Sequence, residues 1–196
     1  MVFTEIYQNN EWRSRESVSG PGSELAQTER LRKELNRLMP KLTIKSMLDI
    51  PCGDFNWMQH VNLSDVDYIG ADIVEKLIEK NTQDCKEKFQ VLDILQDPLP
   101  KCDLLFVRDC LVHFSFEDTF AALKNIKQSG AKYLLTTTFT KTSVNKNIVT
   151  GGWRIINLQA EPFNLPEPML VINEHCMEDE GAYKDKSMAL WDLASL

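Results

Sequence analysis

A lone glycine standing between two acids marks where this chain could hold a ligand. In KSMLDIPCGDFNWMQHVNLSDVDYIGAD, Lys45 to Asp72, the apolar run around Asp49 breaks at Pro51-Cys52-Gly53 and a second run, YIGA, ends on Asp72. Strand, tight turn, helix, strand and acid in that order form the first half of a nucleotide-binding βαβ unit. There the ligand lies over the carboxyl ends of two parallel strands and the second acid takes the ribose hydroxyls. A pyrophosphate calls for G-x-G-x-x-G, whose glycines let the backbone close on phosphate at a helix N-terminus. PCGDFN offers one glycine and a carboxylate, Asp54. That acid repels phosphate and suits a cation.

With LDIPCGDF, YIGADI and VLDI in this order, the chain resembles the class I S-adenosylmethionine-dependent methyltransferases, and in particular a bacterial subset with SGPGS, YIGADIV and RDCLVHF. The resemblance implies a phosphate-free adenosyl cofactor that carries an α-ammonium and a sulfonium. The first motif departs from D-x-G-x-G-x-G: Asp49, Pro51, Gly53 and Phe55 occupy its pattern positions, so only the acid and the middle glycine match. Pro51 has no N–H, which leaves the bend to Gly53 and the amide contacts to Cys52, Gly53 and Asp54. By resemblance, cofactor contacts come from Asp49, Pro51, Cys52, Gly53, Asp54, Asp72, Ile73, Asp93, Ile94 and Arg108. Asp72 is expected on the ribose and Asp93 at the adenine amino group.

The chemistry is expected further along. Leu104 to Val107 are continuously apolar, as in a strand buried on both faces, so Arg108 and Asp109 emerge at its carboxyl end. His113 follows four residues after Asp109; the resemblance places it facing the methyl group or supporting the pocket. The expected reaction is methyl transfer from S-adenosylmethionine to an oxygen, or less readily a nitrogen, of a small polar acceptor such as a sugar or glycan hydroxyl, with His113 or Asp109 removing its proton. Arg108 could instead pair with Asp109 or Glu16 as a scaffold. Tyr7, Trp12 and Glu16, from an N-terminal arm (1–23), and Trp153, Arg154 and Asn157, from a long stretch (140–168), are the expected substrate-side residues. Three alternatives stand beside this one: an S-adenosylmethionine- or nucleoside-binding module without turnover, a protein or nucleic-acid methyltransferase, and a nicotinamide oxidoreductase. With 22 basic residues against 29 acidic ones, net −7, a general grip on nucleic acid is disfavoured.

The elements that must position these groups follow from periodicity. Leu31, Leu35 and Leu38 share a face in a helix spanning Glu24 to Met39, before Pro40; Trp57, Met58 and Val61 are expected on a helix after the turn; Val74, Leu77, Ile78 and Asn81 fall in helical register. Gln90 to Ile94 reads as a third strand ending in Asp93, Ser115 as the cap of a helix over Phe116 to Gln128, and Lys132 to Phe139 as a β-branched strand. Met169 to His175 and Lys186 to Leu193 read as an antiparallel pair. The expected fold is an α/β, Rossmann-like class I methyltransferase sheet of about seven strands, mostly parallel with a C-terminal antiparallel hairpin and helices on both faces, in one domain over 1–196. Five cysteines without C-x-x-C spacing suggest reduced thiols, a cytoplasmic protein and no metal site. The start MVFTEIYQNN lacks a signal-peptide pattern and no apolar run reaches membrane-spanning length, so no membrane is expected. Phe3, Tyr7 and Trp12 should dock the arm, with SGPGS over the cofactor mouth.

Overall fold

The computed structural model describes residues 2–196, the side chain of Asp179 excepted. Runs of Leu, Phe, Val and Thr buried on both sides form the middle of one sheet. Its strands are β1 (Ser46–Asp49), β2 (Asp67–Asp72), β3 (Lys88–Val91), β4 (Leu104–Val107), β5 (Tyr133–Phe139), β6 (Leu170–Asn173) and β7 (Lys186–Asp192). Their spatial order is β3-β2-β1-β4-β5-β7-β6. The first five run parallel, and β7 lies antiparallel between β5 and β6. After β3 the chain returns to pair β4 with β1, so the strand order reverses there, which opens a crevice over the carboxyl ends of both.

Side chains on successive strand residues point to opposite faces, and the two cores divide accordingly. Leu48, Leu105 and Leu134 pack on one side with Ala122 and Ile126 of α4 (Phe116–Gln128) and with Ile156, Leu158 and Phe163. Met47, Leu104, Phe106 and Leu135 pack on the other with Leu31, Leu35 and Leu38 of α2 (Leu25–Lys41) and with Phe55, Trp57 and Met58. Asn81 of α3 (Glu75–Asp84) holds the turn after β1 by donating to the Gly53 carbonyl at 2.8 Å. The arm carries its own helix, α1 (Val2–Asn9).

Three expected elements come out differently. Between β1 and β2 there is only a 3₁₀ turn, Met58–His60, because Phe55 and Trp57 go into the core as anchors and do not line one helical face. Between β3 and β4, where Pro98 and Pro100 stand, the chain forms no helix either. The third strand ends at Val91, two residues before Asp93: the Asp93 carboxylate accepts the Leu95 N–H at 2.9 Å and closes a turn of its own. Helix α2 passes through Pro40 to Lys41 before ending, so the proline costs it one hydrogen bond at its last turn and no more.

Candidate functional site

Over the reversal point lies a crevice with about 1160 Å³ of empty space, the solvent at its mouth included, lined by the ends of β1, β2 and β4 and by the arm. The turn after β1 forms its floor. All three amides that follow Pro51 already have partners: Cys52 N–H donates to the Ala71 carbonyl at 2.7 Å, Gly53 N–H to Asp72 Oδ2 at 3.2 Å, and Asp54 N–H to Ser19 Oγ at 3.0 Å. The amide contacts expected for a ligand therefore go to the protein itself. Gly53 is required here, since its φ is +56° and an added Cβ would meet Ser19 Oγ at 2.2 Å.

Asp72 is buried and bridges two strand ends, its Oδ1 accepting the Val74 N–H at 3.0 Å and its Oδ2 that of Gly53. Burial pushes its carboxyl up to about 6, against the lowering pull of those backbone donors. Each oxygen accepts one N–H, so lone pairs remain for hydroxyls. Asp49, behind it, accepts the Tyr68 hydroxyl at 2.7 Å, and burial drives it further, to about 7. Ile73, Asp93 and Ile94 line the same wall. The Asp93 carboxylate is occupied by Leu95 N–H and, at 3.0 Å, by Gln96 Nε2.

Arg108 and Asp109 leave β4 into a buried charge cluster. Arg108 donates through Nε and Nη2 to Glu174 at 3.0 and 2.7 Å, through Nη2 to the Gly22 carbonyl at 2.9 Å, and lies over the Trp57 ring. Lys186 Nζ reaches Asp109 Oδ2 at 2.7 Å, Arg108 Nη1 lies 3.2 Å from the same oxygen, and Thr137 Oγ1 donates to Oδ1 at 3.3 Å. Burial alone would raise the Asp109 carboxyl. The Arg108 and Lys186 charges outweigh it and hold the group well below the ordinary carboxylate range. A carboxylate so held is a poor proton acceptor, which corrects the expectation that Asp109 could serve as the base. Arg108 likewise has no donor pair to spare for a cofactor.

His113 stands differently. Its Nδ1 lies 2.8 Å from the Gly152 carbonyl, which can only accept, so the ring proton sits on Nδ1 and the Nε2 lone pair is left open. Phe3 packs against the ring edge-on and Trp12 at a 30° tilt, with centroids 6.4 and 5.3 Å away. This burial holds the imidazole below its ordinary 6.5, against the raising effects of Gly152 and Asp109. A neutral ring with a free nitrogen at the crevice wall can take a proton.

The arm brings Phe3, Tyr7, Trp12, Val18, Ser19 and Ser23 to the crevice, but not Glu16. Glu16 accepts the Leu25 N–H at 2.7 Å and Asn56 Nδ2 at 2.8 Å, capping the start of α2 from outside because the residue at the cap, Glu24, makes no side-chain capping bond. The late stretch also departs from its expected role. Arg154 is buried, donates to the Phe114 carbonyl and Thr119 Oγ1, and lies over the Phe116 and Phe163 rings. Asn157 Nδ2 donates to the Thr142 carbonyl at 2.7 Å, and Trp153 packs on Tyr183, 4.9 Å between centroids. None of the three lines the crevice; the stretch braces His113 from behind, through Gly152 and through Arg154 N–H on the Val112 carbonyl at 3.0 Å. Glu174 and Lys186 escaped the sequence reading. Their signal was a charge at the edge of an apolar strand, INEH and KSMALW.

Among the described residues, no group of three or more His, Cys, Asp or Glu could hold a metal, and no helix is long and apolar enough to cross a membrane. No protein-family model and no curated protein matches the sequence. Solved structures do. PigF with SAH aligns at TM-score 0.67 and 13% identity over 97% of this chain and 62% of its own. The methyltransferase domain of bacterial CtHen1-C aligns at 0.60 and 13% over 86% and 98%. Magnesium protoporphyrin IX methyltransferase from Synechocystis PCC 6803, with bound SAH, aligns at 0.50 and 16% over 60% and 58%. The chain thus spans less than two thirds of the length of two of these three. What the likenesses establish is architecture: this chain has the Rossmann-like methyltransferase fold.

Proposed function

We propose that the crevice binds S-adenosylmethionine and that the protein transfers its methyl group to a small polar acceptor. One observation carries this reading. Asp49, Asp54, Asp72 and Asp93 line the crevice, Asp109 beside them is offset by Lys186 and Arg108, and the only guanidinium or ammonium of the crevice among the described residues, Arg108, is committed to Glu174 and Gly22. Such a surface repels a phosphate-bearing dinucleotide and favours a cationic, phosphate-free adenosyl donor. The residues fit that group: Asp72 keeps lone pairs for ribose hydroxyls, and Ile73, Leu92, Asp93 and Ile94 offer an apolar slot with an acid at its rim.

When bound, S-adenosylmethionine supplies an already activated methyl group. The chain's own part is then to orient the acceptor and to move one proton. Phe3, Tyr7 and Trp12 wall the space beside His113, and His113 Nε2 takes the acceptor proton while the Gly152 carbonyl steadies Nδ1–H. Since no free cation faces the crevice among the described residues, the acceptor is neutral or cationic. A sugar or glycan hydroxyl meets that condition, with the carbon face of the ring against the aromatics. The five free cysteines support a reducing, cytoplasmic setting. Calorimetry with S-adenosylmethionine, S-adenosylhomocysteine and NADH decides the core of this reading: the first two should bind and NADH should not. NADH binding alone would overturn it, and tight cofactor binding with no methylated product across a panel of hydroxyl and amine acceptors would favour a binding module.

A further inference from the structure

Asp54 is committed to the chain's own arm. Its Oδ2 accepts the Val18 N–H at 2.9 Å, and its Oδ1 accepts the hydroxyls of Ser17 at 2.9 Å and Ser19 at 3.2 Å together with the Asn56 N–H at 3.3 Å. In return the Asp54 N–H donates to Ser19 Oγ at 3.0 Å. The next residue, Gly20, has φ +92° and presses on Trp12: a Cβ there would lie 3.1 Å from Trp12 Cβ. Trp12 in turn packs against the His113 ring. A continuous series of contacts thus runs from Asp54 through residues 17–20 and Trp12 to His113.

We propose that Asp54 is a positioning residue: it latches residues 17–19 onto the turn after β1 and, through Gly20 and Trp12, seats the wall against which His113 stands. The latch rests on these distances alone; its consequence for methyl transfer rests on the reading above. Releasing it uncovers the crevice and frees the wall together, so ligand entry and solvent access to His113 are coupled. The isosteric Asp54→Asn keeps one oxygen for Asn56 and Ser19 but loses the acceptor for the Val18 N–H, and Ser17→Ala/Ser19→Ala removes the hydroxyls while leaving the carboxylate.

The full-length variants are compared with the parent by hydrogen exchange and by NMR titration of their histidines. Exchange across residues 17–20 should quicken about tenfold or more, the effect of losing one or two hydrogen bonds to a charged group. The His113 midpoint should climb toward the ordinary imidazole value as Trp12 withdraws, with Asp109, Lys186 and the Gly152 carbonyl still facing it. Unchanged exchange at 17–20 in a folded variant overturns the latch. Faster exchange with an unmoved His113 midpoint overturns the link to His113. Should Asp54→Asn fail to fold, the serine pair decides. S-adenosylhomocysteine failing to bind the parent protein would remove the functional reading and leave the latch to be judged on these two measurements.

Discussion

Gly152 fixes the tautomer of His113, its carbonyl oxygen 2.8 Å from Nδ1. The same loop holds the segment from two further sides: Gly151 N–H donates to the His113 carbonyl at 2.9 Å, and Arg154 Nη2 donates to that of Phe114 at 2.9 Å. His113→Ala should lower turnover about 10²–10⁴-fold, the usual worth of a general base, and leave cofactor affinity nearly intact. Steady-state kinetics beside calorimetry checks this; unchanged turnover removes His113 from the mechanism.

The pH profile should follow the same ring. A base works unprotonated, and burial lowers the His113 midpoint below 6.5, so kcat/KM should rise with pH along a limb centred below 6.5. A limb centred above that value would mean that the imidazole is solvated in the working enzyme, or is not the base.

Asp72→Ala should weaken S-adenosylhomocysteine binding roughly tenfold to a hundredfold, matching about 1.5–3 kcal/mol for a hydrogen bond to a charged group. Calorimetry at fixed pH measures it. An unaltered affinity would show that the ribose is held elsewhere.

Asp49 makes stability depend on pH in the sense opposite to a salt-bridged acid. Its folded value of about 7 lies above the ordinary 3.8, so between those two values the folded state holds a proton that the unfolded chain has lost. Stability from this group is greatest below the lower value and declines as pH rises to the upper one. Asp49→Asn keeps an acceptor for the Tyr68 hydroxyl and removes the slope. The variant should therefore gain on the parent in denaturant melts above about pH 7 and show no gain below about pH 4. A difference independent of pH would refute this.

Glu174→Ala should destabilise the fold by about 3–5 kcal/mol, because it strands the buried Arg108 guanidinium without its bidentate partner. Urea denaturation reads the loss. A variant as stable as the parent would mean that water or Asp109 takes over the charge.

The succession of strands along the chain and the acids at their ends were legible because both depend on neighbours in sequence. Apolar runs mark buried strands, and an acid directly after one must emerge at its carboxyl end, as Asp72 and Asp109 do. Ser115 could be read as a cap for the same reason: its partner, Asp118 N–H, is three residues away. Where a few residues changed their local partner, as Phe55 and Trp57 did on entering the core, the expected helix gave way.

What the amino-acid order determined, then, was the mostly parallel sheet with its antiparallel end and the acids that follow its strands, since apolar runs and strand-end acids are short-range properties of the chain. Tertiary structure alone decided which of the charged groups at the strand ends remain available. Asp54 is taken by Ser17 and Ser19 from 37 and 35 residues away, Arg108 by Glu174 from 66, and Asp109 by Lys186 from 77. A hydrogen bond forms between groups that folding brings within 3 Å or so, and no spacing along the chain announces that meeting.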